Sequence, residues 1–131
     1  MNSAVIGVGS NINPKSNIDR AEQLLRQKLH FVACASRLQT KPVGFADQPD
    51  FVNSAFLVET TFDISELKLF LQATEKLLGR VRGRNKNGPR TIDLDIIVFN
   101  SQVVDDNVYK RDFLRKLIAE VLPDLGDALG I

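Results

Sequence analysis

Two aspartates placed two residues apart inside an apolar, β-branched run constrain this chain more than any other feature. The run reads Gly88-Pro89-Arg90-Thr91-Ile92-Asp93-Leu94-Asp95-Ile96-Ile97-Val98-Phe99. Its composition suits a strand, and side chains alternate faces along a strand. Asp93 and Asp95 therefore share one face, while Ile92, Leu94 and Ile96 share the other. Two rises of about 3.3 Å put the carboxylates roughly 6–7 Å apart along the strand. Like charges there repel, and burying them unpaired costs far more. The aspartate face must stay open, and a cation belongs between the carboxylates. A hard divalent ion such as Mg²⁺ is the natural candidate.

The segment just upstream strengthens that expectation. Arg80, Arg82, Arg84, Lys86 and Arg90 place five cations and no acid within Arg80–Arg90. The chain has 17 Lys and Arg against 16 Asp and Glu, so outside this window the balance is 12 against 16. Positive charge is thus concentrated where the carboxylate strand begins. Guanidinium forks beside a bound metal ion suit the oxygens of a polyphosphate.

With 131 residues the chain is expected to form one domain, residues 1–131, with a real core. A hydrophobic content of 44% with 25% charged residues matches a soluble globular protein. The net charge of +1 gives no global pull toward nucleic acid or membrane. The single cysteine, Cys34, rules out an intramolecular disulfide and suits a reducing compartment. The first residues carry no basic and apolar leader, so cytoplasmic residence is expected. The absence of a Cys/His cluster argues against structural zinc. The only histidine, His30, reads as a surface or helix-end residue.

Hydrophobic spacing divides the rest into elements. Ala4–Val8 reads as a strand leaving through Gly9-Ser10-Asn11. Gly7-Val8-Gly9 lacks the further glycine of a dinucleotide fingerprint, because position 12 is Ile12. Ser16 is the expected N-cap of a helix carrying Ile18, Ala21, Leu24, Leu25 and Leu29. Phe31–Thr40 reads as a strand, residues 41–50 as a loop with two prolines and a glycine, and Phe51–Thr61 as a strand. Asp63 with Glu66 forms a capping-box pattern before Leu67, Phe70, Leu71, Thr74 and Leu78, and Gly79 is a helix stop. A last helical pattern runs from Phe113 to Leu122 and ends at Pro123. The order predicts an α+β fold, a ferredoxin-like βαββαβ antiparallel sheet with an added C-terminal helix. Both main helices should pack on one sheet face, leaving Asp93 and Asp95 on the other, in a cleft beneath the basic loop. Glu75 falls on the polar side of its helix and reads as structural or charge-balancing, with ligand contact as the alternative. Asn53 reads as an edge-strand polar residue, and Phe51 and Phe113 taken singly read as core.

Together the motifs resemble the 6-hydroxymethyl-7,8-dihydropterin pyrophosphokinase family. The likeness rests on Gly9-Ser10-Asn11, Thr40-Lys41-Pro42-Val43-Gly44, Asp47 to Ala55, Gly79-Arg80-Val81-Arg82 and Gly88 to Asp95, and spans residues 5 to about 123. The resemblance implies a ferredoxin-like enzyme of folate biosynthesis that transfers pyrophosphate from ATP to the pterin hydroxymethyl group and releases AMP. It implies that Asp93 and Asp95 bind two Mg²⁺ ions, and that Arg80, Arg82 and Arg90 act on the phosphates. Gln72, Glu75, Ile96, Lys110 and Arg111 are then expected on the nucleotide side. Phe51 and Phe113 would sandwich the pterin, Asn53 would hydrogen-bond its edge, and Thr40, Pro42, Val43 and Gly44 would line its loop. ATP and the pterin are the expected partners, with no nucleic acid or membrane, acting on a monomer. The chain departs from the family pattern where Val103–Lys110 is short and lacks a histidine, and where Asn87 replaces a tryptophan. Lys110 is expected to substitute for that histidine at a phosphate. Two other readings are a relative that binds pterin or nucleotide without efficient turnover and, less favoured, an RNA-binding ferredoxin-like module. Against the latter, RNA-binding sheets display stacking aromatics where this one carries aspartates.

Overall fold

The computed structural model describes residues 1–42, 47–80 and 89–130. β1 (Asn2–Ser10) is followed by α1 (Pro14–Arg26), β2 (His30–Cys34), β3 (Leu38–Thr40) and β4 (Phe51–Thr60). Then come α2 (Ile64–Leu77), β5 (Asp93–Phe99), β6 (Gln102–Val103), α3 (Asn107–Lys110), α4 (Asp112–Val121) and α5 (Pro123–Ala128). The strands form one antiparallel sheet in the order β2-β4-β1-β5-β6, with β3 also paired to β4. Among the described residues no helix is long and apolar enough to cross a membrane.

Three local expectations need correction. The first helix starts at Pro14, so Ser16 is not its N-cap. Asn13 takes the left-handed conformation (φ 43°), and Pro14 supplies a pre-set first helical residue. The expected strand Phe31–Thr40 is two strands along β4. Between them the Ala35 N–H donates to the Ala55 carbonyl, the Ser54 hydroxyl donates to the Ala35 carbonyl, and Glu120 of α4 accepts from the Ser36 N–H and hydroxyl. These contacts bend the chain out of the ladder. Finally, Pro123 ends α4 but also begins α5.

The second main helix forms as its sequence prescribes. The Asp63 carboxylate accepts from the Glu66 N–H at 2.8 Å, and the Glu66 carboxylate accepts from the Asp63 N–H at 3.0 Å. Gly79, at φ 83°, turns the chain out of α2 toward Arg80.

The sheet separates two cores. On one face Ile18, Ala21 and Leu25 of α1 and Leu67 and Leu71 of α2 pack on Ile6, Val8, Val58, Ile92 and Leu94. On the other, Leu117, Ile118 and Val121 of α4 pack on Val5, Ala55, Leu57, Ile97 and Val98. A bulge opposite Val5 and Ile6 lets Ile97 and Val98 both join the second core. α4 therefore covers part of the aspartate face, and the remainder forms a cleft.

Candidate active site

Strand register places the two aspartates at the floor of that cleft. Asp95 pairs with Gly7 and Asp93 with Gly9, so β1 presents no side chain between them and β4. A Cβ on Gly9 would lie 3.0 Å from the Asn53 Oδ1, and one on Gly7 would lie 3.3 Å from the Ile97 Cγ2. Glycine at both positions keeps the trough deep enough for a ligand to reach the strand.

Two cavities meet here. The first, about 540 Å³, is walled by Thr40, Lys41, Phe51, Asn53, Phe113 and Leu114, with Arg90 and Arg111 at its polar side. The second, about 690 Å³, is walled by Ile64, Lys68, Gln72 and Glu75 of α2, by Ile96 and by Val104 and Lys110. Arg80, Asp93, Asp95, Asp105 and Asn107 line both.

The first cavity suits a flat polar ring. Phe51 of β4 and Phe113 of α4 reach it from different elements, and aromatic faces bind such rings. The Asn53 amide beside them donates to the Thr40 hydroxyl at 2.6 Å. The Arg90 guanidinium lies 5.9 Å from the Phe51 ring centroid, within cation–π range.

At the junction the arginines turn to Asp93. The Arg80 Nη1 donates to the Asp93 Oδ1 at 2.7 Å, and the Arg90 Nη1 to the Asp93 Oδ2 at 3.5 Å. Arg80 also donates to the Glu75 carboxylate at 2.7 Å. Asp95 is solvent-accessible, yet its carboxyl is pushed up to about 7. Loss of hydration at the cleft floor is the main cause, followed by the charges of Asp93, Asp105 and Glu75, with Arg80 pulling the other way. Glu75 is corrected from the polar side of its helix: it is 4% exposed, and burial raises its carboxyl against the Leu94 N–H and Arg80.

Asn11 ties both sides of the cleft together. Its side chain accepts from the Arg90 N–H at 2.8 Å and donates to the Gln48 side chain at 2.8 Å and the Pro49 carbonyl at 3.1 Å. Its backbone N–H donates to the Arg90 carbonyl at 3.2 Å.

Among the sequence-predicted residues, Thr40, Phe51, Asn53, Phe113, Arg80, Arg90, Asp93 and Asp95 converge on the first cavity. Gln72, Glu75, Ile96 and Lys110 converge on the second. Arg111, expected on the nucleotide side, lines the first cavity. Pro42 is half-buried after Thr40 and lines neither cavity. Val43, Gly44 and Arg82 lie outside the described residues. Sequence reasoning missed Asp105, Asn107, Lys41, Lys68 and the bridging role of Asn11, although Gly9-Ser10-Asn11 was visible as a motif.

Among the described residues no three carboxylate, histidine or cysteine side chains converge as a metal cage. The donor set fits Mg²⁺ all the same. Two carboxylates two residues apart, one with its proton affinity raised by loss of hydration and then by its neighbours' charge, offer hard oxygens to an ion that takes its remaining ligands from water and phosphates.

The chain is similar to known proteins in sequence and in fold. Residues 5–123 match the family model of 7,8-dihydro-6-hydroxymethylpterin-pyrophosphokinase. A 2-amino-4-hydroxy-6-hydroxymethyldihydropteridine pyrophosphokinase of Haemophilus influenzae is 35% identical, over 95% of this chain and 84% of its own. The protein of the same name from Bacillus subtilis is 34% identical, over 92% of this chain and 78% of its own. The crystal structure of Plasmodium falciparum HPPK-DHPS with SDX-DHP superposes at a TM-score of 0.60 and 14% identity. It covers 97% of this chain and 35% of that longer one, a likeness of fold.

Proposed function

The chain belongs to the 7,8-dihydro-6-hydroxymethylpterin-pyrophosphokinase family, and from that membership we propose that it transfers pyrophosphate from ATP to 6-hydroxymethyl-7,8-dihydropterin, releasing AMP, in folate biosynthesis. The observation that carries this reading is the meeting of two cavities at Arg80, Asp93 and Asp95. A transfer between two bound substrates needs one wall common to both sites.

The pterin occupies the first cavity between Phe51 and Phe113, with Asn53 on its edge. Its hydroxymethyl group then points toward Asp93 and Asp95. ATP occupies the second cavity, its base beside Gln72 and Ile96 and its phosphates toward Lys110 and the junction. The hydroxymethyl oxygen forms a bond to the β-phosphorus, and the bond from that phosphorus to the oxygen bridging to the α-phosphorus breaks. AMP leaves with the bond's electron pair, and the hydroxyl proton passes to solvent. Arg80 and Arg90, fixed by carboxylate and backbone contacts, neutralise charge on the moving group. Two Mg²⁺ ions held by Asp93 and Asp95 would polarise the phosphate oxygens when bound. Arg82 and the pterin loop at Val43 and Gly44 belong to this reading on sequence alone.

The finer features of the reading have their own support. The order β2-β4-β1-β5, with α1 and α2 on one face, is that expected of a ferredoxin-like sheet. The single domain and the monomer belong to the same reading, and a reducing cytoplasm is in keeping with the lone Cys34.

Incubation with ATP, Mg²⁺ and 6-hydroxymethyl-7,8-dihydropterin should give AMP only when pterin is present. Binding of both substrates without AMP would reject the transfer. Asp95→Ala removes an oxygen ligand rather than core volume. Turnover should fall at least about a hundredfold, with no loss of melting temperature above pH 7.

A further inference from the structure

We propose that Glu75 is a positioning residue that fixes the aspartate strand and Arg80 together, and is not a ligand of the nucleotide. The proposal rests on the transfer reading of the site.

Glu75 lines the second cavity but is 4% exposed, and its described side-chain contacts run to the junction. Its Oε2 accepts from the Leu94 N–H at 2.8 Å. Leu94 stands between Asp93 and Asp95, at a stretch where, among the described residues, β5 pairs with β1 alone, since β6 pairs with Val98 and Phe99. That N–H would otherwise be a buried donor at an open edge, so the Glu75 carboxylate holds the backbone that sets the aspartate spacing.

The same oxygen accepts from the Arg80 Nη1 at 2.7 Å, and the Glu75 carbonyl accepts from the Arg80 N–H at 3.1 Å. Arg80 is therefore held at both its backbone and its side chain. Its side chain is 13% exposed, and it also reaches Asp93 at 2.7 Å and the Ile92 carbonyl at 3.4 Å. Arginine keeps its charge at every working pH. With Asp93 as its only described carboxylate, Arg80 would sit wholly on an oxygen needed for the metal. Sharing with Glu75 lets Asp93 exchange Arg80 for a cation while the guanidinium stays at the wall common to both cavities.

Glu75→Gln is the decisive variant, because its amide oxygen still accepts from Leu94 but no longer carries the charge that holds Arg80. The KM for ATP should stay within about threefold and kcat should fall at least about tenfold. In an Arg80→Ala background the same change should cost no more than about twofold, because Glu75 acts through Arg80. Mn²⁺ binding to the nucleotide-free protein, followed by electron paramagnetic resonance, should weaken in Glu75→Gln and not weaken further when Arg80 is also absent. Exchange of the Leu94 amide should accelerate in Glu75→Ala. A large rise in the KM for ATP with kcat intact would make Glu75 a nucleotide ligand and overturn the proposal. A lower melting temperature with kcat and Mn²⁺ affinity intact would overturn it in favour of packing alone. Should the unaltered protein make no AMP, the transfer reading fails. The Mn²⁺ titration and the Leu94 amide then decide Glu75 separately, unchanged values rejecting it and altered values supporting it.

Discussion

Asp95 carries the chemistry at the scale of single residues. An isolated aspartate titrates near 3.8, and here it is pushed up to about 7, first by burial and then by Asp93, Asp105 and Glu75. Between about pH 4 and pH 7 the folded chain holds a proton that the unfolded chain has released. The group thus favours the folded state in acid, and that contribution is lost as the pH rises through 7. Metal-free protein should gain melting temperature from this group between about pH 8 and pH 6, and Asp95→Asn should remove the gain. Calorimetry of both proteins across that range checks the sign. Mg²⁺ must displace the same proton, so affinity should climb about tenfold per pH unit below 7 and level off above it. The alternation of Asp93 and Asp95 with Ile92 and Leu94 was legible in the sequence, because strand geometry alone assigns faces. The proton affinity was not, because it depends first on how the folded cleft strips water from the carboxyl and then on charges that include Asp105 and Glu75, distant in sequence or from other elements.

Connections between elements decide how the site holds its shape. Asn11 leaves the end of β1 and joins the Gln48–Pro49 segment to Arg90, with three side-chain hydrogen bonds at 4% exposure. Asn11→Ala removes those bonds, which should destabilise the fold by about 1–3 kcal/mol. It should also raise the KM for pterin, since Gln48 and Pro49 precede Phe51. Urea unfolding together with steady-state kinetics tests both outcomes, and an unchanged KM would show that the joint does not reach the pterin wall. The sequence displayed Gly9-Ser10-Asn11 as a motif but not its use. Hydrogen bonds spanning 37 to 79 residues leave no local signature. The same limit explains β2 and β3. Propensity reads Phe31–Thr40 as one strand, whereas Glu120 of α4 captures Ser36 and bends it.

Across the whole molecule the helices on opposite sheet faces divide support from substrate wall. α1 and α2 fill one face, while α4 covers part of the other and carries Phe113 and Leu114 into the first cavity. Leu117 of α4 is fully buried in the second core. Leu117→Ala should cost about 2–5 kcal/mol and displace the Phe113 wall, raising the KM for pterin more than that for ATP. Equal effects on both constants would show that α4 does not act as a separate wall. By itself the sequence determined the aspartate face, the capping box of α2, both amphipathic helices and the motif set of the family, because each depends on residues a few positions apart. Only the tertiary structure decided that α4 would close part of the aspartate face, that two cavities would share Arg80, and that Glu75 would turn inward to Leu94. Those outcomes depend on which surfaces remain unfilled once the sheet has formed, and contacts between distant segments are settled by packing rather than by local pattern.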